Sequence, residues 1–151
     1  MSRILKHFHD IQDLSLDFVQ CSQITDMNIS QICKSLKTLR FLQSIKLNFN
    51  FNYFSQISDF ELKKIMNCLK PFATVREIGL SFPSNLKINL AGFPLLRLRS
   101  LQKLSLNFAR CHKIGGRRLQ DLSECLKKLT SLRSLSLNFA NCEHIADTGL
   151  Y

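Results

Sequence analysis

The feature that most constrains the fold is a pentapeptide that this chain of 151 residues repeats. The sequence "LSLNF" occurs at 104–108 and again at 135–139, and looser copies are "LSLDF" at 14–18, "IKLNF" at 45–49 and "IGLSF" at 78–82. Successive copies start 31, 33, 26 and 31 residues apart. Self-similarity at a nearly constant period is the sequence signature of a repeat architecture. Each copy therefore marks one structural unit of the same kind.

Each unit changes its hydrophobic period halfway. Leucines and a phenylalanine alternate with Ser105 and Asn107 over 104–108, which is the period-two pattern of a strand with one buried face. After that point the apolar residues recur at steps of three and four, as in a helix with one buried stripe. In the fourth unit this stripe consists of Leu119, Leu122, Leu126, Leu129 and Leu132. Each unit is therefore predicted to be a strand followed by a helix.

Strands that alternate with helices pair in parallel through right-handed crossovers, and identical units stack as a solenoid. Because packed helices need more room than paired strands, the array bends with its strands on the inside. The prediction is a right-handed, curved α/β solenoid with a parallel β-sheet on the concave face and helices on the convex face. Asp26, Asp59 and Asp147 precede helical stripes and are predicted N-caps. Pro83 and Pro94 predict an irregular or 3₁₀ connection in the third unit.

The repeats predict a single domain over 1–151. Its units are expected at about 11–41, 42–74, 75–100 and 101–131, with a partial unit at 132–151, and 1–10 is expected to be the tail of a preceding helix or an N-terminal cap. The last unit ends where its helix should begin, and nothing in it resembles a C-terminal cap. We therefore expect a fragment of a longer array, with self-association possible through uncapped ends.

The pattern LxxLxLxF, followed by a turn Cys or Asn, an Ile, an Asp and a helix, resembles the leucine-rich repeat family. The unit length and full helix are similar to the ribonuclease-inhibitor-like class, and "CSQITD" at 21–26 and "CEHIAD" at 142–147 resemble the cysteine-containing repeats of F-box proteins. The resemblance implies a leucine-rich-repeat solenoid with Cys21, Cys111, Cys142 and Asn85 at its inward ladder position. By family analogy it also implies substrate recognition for a ubiquitin ligase, although the sequence contains no F-box.

Binding of another protein is the leading functional hypothesis. The strand residues expected to face outward are small, polar and nearly uncharged, and the segment 50–55 adds aromatic residues at a strand exit. A solenoid commonly binds partners on its concave face and on a rim of inserted residues. The candidate partner-binding residues are Asp17, Asn48, Asn50, Phe51, Tyr53, Ser81, Asn107 and Asn138.

The excess of basic over acidic residues in the chain leaves a second functional hypothesis open. The sequence has 21 Lys and Arg against 11 Asp and Glu, and the segment 97–133 holds ten basic residues with only Asp121 and Glu124 as acids. Such a segment could attract RNA, another nucleic acid or anionic lipid; the alternative is a set of solvated helix faces. Arg117 and Arg118 follow two glycines at a helix start and are candidate anion-binding residues. The alternative for them is a degenerate helix cap.

No enzymatic motif of the serine-hydrolase, P-loop or zinc-protease type occurs in the sequence. We therefore expect no catalytic residue, no cofactor and no enzymatic activity. The Cys–His pairs at 111–112 and 142–144 do not match zinc-ligand spacings, so no metal is expected either. The chain lacks a signal peptide and an apolar run of about 18 to 20 residues. We expect an intracellular, cytoplasmic chain whose six cysteines are thiols.

Overall fold

The computed structural model describes residues 7–8, 10–19, 26–50, 57–69, 72–91, 93 and 98–145. The described residues form five strands, three α-helices and a short 3₁₀ turn. The strands are β1 (Asp13–Asp17), β2 (Ser44–Asn48), β3 (Glu77–Ser81), β4 (Lys103–Asn107) and β5 (Ser134–Asn138). The helices are α1 (Asp26–Leu36), α2 (Asp59–Leu69) and α3 (Gly116–Leu126), and the 3₁₀ turn is Glu143–Ile145.

All five strands form one parallel sheet in chain order. The register pairs Leu14 with Ile45, Ile45 with Ile78, Ile78 with Leu104, and Leu104 with Leu135. These are the first residues of the five pentapeptides, so the strands pair as the repeat alignment predicts. The predicted α/β solenoid with a parallel sheet and a helical layer is confirmed. The division into repeats at the residue numbers given above stays a prediction.

A row of stacked phenylalanines runs through the interior along the sheet. The rings of neighbouring coils lie 5.0 to 5.9 Å apart between centroids, at interplanar angles of 5° to 14°. Phe49, Phe82 and Phe108 in the middle of the row are fully buried. Offset stacking of this kind adds to the burial of apolar area. We call this set the phenylalanine row: Phe18, Phe49, Phe82, Phe108 and Phe139.

The turn cysteines face the interior as predicted. The buried Cys111 thiol donates to the backbone carbonyl of Phe82 at 3.2 Å, and the Cys142 thiol donates to the carbonyl of Phe108 at 3.1 Å. Burial raises the pKa of Cys111 to about 12, so it stays protonated and keeps this bond at neutral pH. These two thiols therefore link consecutive coils. Cys21 lies outside the described residues.

The start of α2 corrects the predicted N-cap. Ser58 Oγ accepts a hydrogen bond from the Phe60 backbone N–H at 3.2 Å, and the Glu61 carboxylate accepts one from the Ser58 N–H at 2.8 Å. This reciprocal arrangement is a capping box, so Ser58 rather than Asp59 caps the helix. At α3 the N-cap is Gly115, which makes no side-chain cap bond. The side chain of Asp26, and all of Asp147, lie outside the described residues.

The connection between β3 and β4 is irregular. Its described residues, 82–91, 93 and 98–102, form turns and bends with no helix, in agreement with the expectation from Pro83; Pro94 lies outside the described residues. The connection is tied to α2, because the Asp59 carboxylate accepts hydrogen bonds from the backbone N–H groups of Asn89 at 3.1 Å and Leu90 at 2.9 Å. Leu90 has a φ of +65°, which is unusual for a bulky side chain.

Among the described residues, no helix has the length and apolar character that crossing a bilayer requires.

Candidate partner-binding face

The exposed face of the sheet presents three rows of side chains. Since successive strand residues point to opposite faces, positions one, three and five of each strand share the exposed face. The first row is Asp13, Ser44, Glu77, Lys103 and Ser134; the second is Ser15, Lys46, Gly79, Ser105 and Ser136; the third is Asp17, Asn48, Ser81, Asn107 and Asn138. The third row contains five of the eight candidate partner-binding residues. Asn50 is exposed beyond the end of β2, while Phe51 and Tyr53 lie outside the described residues.

Third-row side chains also accept backbone hydrogen bonds where their strands end. A side-chain oxygen of Asp17, Asn107 and Asn138 accepts a hydrogen bond from the backbone N–H two residues further along, at 3.0, 3.1 and 3.0 Å respectively. Such bonds satisfy a backbone donor at the point where the chain leaves the sheet. These residues therefore have a structural role in addition to their exposure, and this role was not predicted from the sequence. The recurring Asn or Asp before the strand exit was the available signal.

Side chains of the third row are also bonded to each other across strands. Asn48 Nδ2 donates to Asp17 Oδ1 at 3.3 Å, and Asn107 Nδ2 donates to Ser81 Oγ at 3.1 Å. Each bond joins neighbouring strands and restricts the rotamers of both side chains. The third row is therefore a largely preformed polar surface rather than a set of independent side chains.

The first row carries charges that were not predicted from the sequence. Glu77 lies between two lysines, with its carboxylate oxygens 2.9 Å from Lys46 Nζ and 3.9 Å from Lys103 Nζ. The hydrogen bond from Lys46 holds the pKa of the Glu77 carboxyl below its usual value, and the same bond raises the pKa of Lys46. The expectation of a nearly uncharged face was wrong, because each strand begins one residue before its pentapeptide and so adds the first row.

An open depression of about 400 Å³ lies on this face between β1 and β4. Its lining includes Ser15, Lys46, Gly79, Ser105 and Asn107. The absence of a side chain at Gly79 makes room for Lys46, whose Cγ lies 3.2 Å from the position that a Cβ at Gly79 would occupy. Second-row and third-row side chains therefore line the depression together.

The candidate anion-binding arginines lie on the helical layer. Arg118 Nη1 is 3.1 Å from Asp121 Oδ2, and Lys127 Nζ is 2.6 Å from Glu124 Oε1. The only two acids of the segment 97–133 thus each pair with one of its cations. Arg117 is exposed on the same helix. The basic charge available to an anion at α3 is therefore smaller than the residue count suggested.

No group of three or more His, Cys, Asp or Glu side chains that could hold a metal ion occurs within the described part of the chain.

Replacing Glu77 with glutamine is expected to lower the free energy of unfolding at neutral pH by about 0.5 kcal/mol, because it removes the carboxylate that pairs with Lys46 and Lys103. The folded-state pKa of Glu77 is lowered, so this stabilisation is present above the unfolded-state pKa and is lost as the pH falls through the folded-state pKa. Urea denaturation at neutral pH and at about pH 3 measures the difference. Glu124→Gln, at an exposed pair on α3, is the matched control. An equal effect of Glu77→Gln at both pH values would contradict the ion-pair explanation.

No protein-family model matches the sequence, and no curated protein matches it. Solved structures do match. The leiomodin-1 structure titled Actin-Binding Site 2 has a TM-score of 0.66 and 19% sequence identity, with 91% of this chain and 77% of that chain covered. The tropomodulin C-terminal domain of Caenorhabditis elegans has a TM-score of 0.62 and 13% identity, with 95% and 83% covered. At these identities the likeness shows the fold alone.

The comparisons correct the expected subclass. The assignment to the ribonuclease-inhibitor-like class with F-box-type repeat features was wrong, because the solved structures that the chain resembles are leiomodin and tropomodulin domains. These domains are leucine-rich-repeat-like but of another type. The subclass assignment rested on unit length and the turn cysteine. Both features follow from how a strand, turn and helix pack into one coil, so they do not distinguish one type of repeat from another.

Proposed function

We propose that this chain is a non-catalytic protein-binding module that uses the exposed face of its sheet. The observation that supports this best is the third row, in which strand register aligns the side chains from Asp17 to Asn138. Members of this row are hydrogen-bonded to each other and to the backbone. A surface whose rotamers are already restricted loses little conformational entropy when a partner binds. The Lys46–Glu77–Lys103 charges add electrostatic features that a polar partner surface can recognise.

Actin is the partner that we propose to test first. Support comes from the fold, since one of the solved structures that the chain resembles is named an actin-binding site of leiomodin-1. With actin as the partner, the protein would act inside the cell, in keeping with the thiol form of its described cysteines.

Binding of a polyanion through the segment 97–133 is a less well supported alternative. Arg118 and Lys127 are each engaged with an acidic neighbour on α3. Such exposed pairs are weak and are screened by salt, so a strong polyanion could still compete for these cations. Heparin binding in parallel with actin binding distinguishes the two hypotheses.

The double variant Ser105→Arg, Ser136→Arg is expected to weaken partner binding at least about ten-fold, because two bulky cations then project from adjacent strands of the binding face. These serines are exposed and their side chains make no hydrogen bond to the described residues, so the fold should be unaffected. Asn107→Arg and Asn138→Arg are less suitable, since they also remove strand-end hydrogen bonds. Co-sedimentation with filamentous actin and calorimetry with monomeric actin measure the affinity.

The matched control is Gln120→Arg, which places a cation on the exposed surface of α3 and should leave actin binding unchanged. Equal loss in the control and in the double variant would point to net charge rather than to the sheet face. Undiminished binding by the double variant would exclude the sheet face. Failure of the unmodified chain to bind actin in either assay would exclude actin as the partner.

A further inference from the structure

Two cysteines from different repeats meet on the helical side of the molecule. Cys33 lies on α1 and is half-buried, and Cys68 lies on α2 and is buried. Both side chains line the same depression between the two helices. Cys33 Sγ also lies 3.9 Å from the backbone carbonyl oxygen of Lys64, at the outer limit of an S–H···O contact. The packing of α1 against α2 thus places two thiols in one depression.

The pair is reached from solvent through a depression of about 320 Å³ between the two helices. Three lysines line it together with the two cysteines: Lys34 on α1, Lys37 directly after the end of α1, and Lys64 on α2. The ammonium group of Lys64 lies 4.4 Å from the centroid of the Phe60 ring. No acidic side chain is among the described residues that line this depression. A small polar reagent can therefore reach Cys33 in a positively charged environment.

The surroundings favour ionisation of one thiol of the pair and disfavour that of the other. The neighbouring Cys68 side chain lowers the pKa of Cys33, against the opposing effect of burial, and the charges of Lys37 and Lys64 lower it further. The neighbouring Cys33 side chain and burial raise the pKa of Cys68, which stays a thiol. Burial also raises the pKa values of Cys111 and Cys142, whose thiols are used as donors between coils.

We propose that Cys33 and Cys68 form an oxidation-sensitive dithiol that a peroxide converts to a disulfide between α1 and α2. The Cys33 thiolate attacks one oxygen of hydrogen peroxide, so that an S–O bond forms, the O–O bond breaks and hydroxide leaves. Cys33 is then a sulfenic acid. The Cys68 thiol attacks that sulfur, the S–O bond breaks, and the hydroxyl leaves as water with the Cys68 proton. The hydroxide takes up the proton that Cys33 lost on ionisation, so that in sum two thiols and one peroxide give one disulfide and two waters.

This site differs from the proposed partner-binding face in both location and chemistry. The depression lies on the helical layer, whereas the three rows of the sheet face the opposite side. A disulfide here would join the first two coils covalently without altering any third-row side chain. Oxidation is therefore expected to rigidify the first two coils and to leave the partner-binding surface exposed.

The test is peptide mass spectrometry of the full chain after oxidation. The reduced protein is treated with one equivalent of hydrogen peroxide, free thiols are blocked with iodoacetamide, and the digest is analysed without reductant. The proposal predicts that the main oxidised product is the linked Cys33–Cys68 peptide. It also predicts that, without peroxide, iodoacetamide labels Cys33 at least about ten-fold faster than Cys111 or Cys142, with a pH midpoint below the usual range for a thiol.

Variants separate the roles of the two thiols. Cys68→Ser should remove the disulfide and accumulate the sulfenic acid at Cys33, which dimedone traps. Cys125→Ser is the matched control, since Cys125 occupies a helix position like that of Cys68 and donates to the Phe93 carbonyl at 3.5 Å, and it should change neither result. Circular dichroism checks that each variant is folded. The proposal is overturned if most of the disulfide joins another pair of cysteines, or if Cys33 in the unmodified chain is labelled no faster than the buried thiols.

Discussion

Replacement of Phe82 by alanine is expected to lower the free energy of unfolding by about 3 to 5 kcal/mol. Phe82 is fully buried at the centre of the phenylalanine row, with its ring centroid 5.1 Å from that of Phe49 and 5.7 Å from that of Phe108. Truncation removes the apolar contacts of one ring, leaves a cavity in the third coil and interrupts stacking on both sides. Since a domain of ordinary stability has only about 5 to 15 kcal/mol in total, this loss brings the variant close to unfolding.

Urea denaturation followed by far-ultraviolet circular dichroism measures the effect. Phe41→Ala is the matched control: this phenylalanine is 55% exposed, and its truncation should change the free energy of unfolding by less than about 0.5 kcal/mol. Phe82→Leu keeps most of the volume and should cost less than the alanine variant. A loss of less than about 1 kcal/mol for Phe82→Ala would show that neighbouring coils collapse into the space, and that the row does not stabilise the solenoid as we infer.

Replacement of Asp59 by alanine is expected to cost about 2 to 3 kcal/mol. The Asp59 carboxylate accepts hydrogen bonds from the backbone N–H groups of Asn89 and Leu90, and Leu90 is almost completely buried. Without the carboxylate these donors lose their acceptor in a segment that has no helix to satisfy them. Leu90 also adopts a positive φ of 65°, an unfavourable conformation that the bonds to Asp59 help to hold. The variant should therefore loosen the connection between β3 and β4.

Asp59→Asn separates the loss of charge from the loss of the acceptor. It keeps one side-chain oxygen and is expected to cost about 1 kcal/mol, less than the alanine variant. Asp121→Ala, which removes an exposed acid from α3, should change the free energy of unfolding by less than about 0.5 kcal/mol. Hydrogen exchange of the Asn89 and Leu90 amides gives a local measurement, and both should exchange faster in Asp59→Ala. Unchanged exchange at both amides would mean that the carboxylate does not hold this connection.

The helix starts illustrate how far local sequence patterns can be interpreted. Asp59 looked like an N-cap because it precedes a helical stripe, but Ser58 and Glu61 cap the helix between them. The spacing of a Ser and a Glu three residues later is a known signature and was present in the sequence. The role of Asp59 was not predictable in this way, since its partners lie 30 and 31 residues further along the chain.

Part of the candidate site was also predictable. Alternation within the pentapeptide placed Asp17, Asn48, Ser81, Asn107 and Asn138 on the same face, and strand register confirms that they form one row. The charges of the first row were missed because each strand was taken to begin with the pentapeptide, whereas it begins one residue earlier. The bonds between third-row side chains depend on rotamers in neighbouring strands, which no single repeat encodes.

By itself, the sequence determined the repeating unit, the parallel strand order and the register. Every coil must bury the same apolar positions against its neighbours, so the period and alternation of those positions specify the stack. Only the tertiary structure decided which polar groups come together: Glu77 with Lys46, Asp59 with the amide of Leu90, and Cys33 with Cys68 in one depression. These pairs join residues about 30 positions apart. They depend on side-chain directions within a packed solenoid, and the hydrophobic period does not specify those directions.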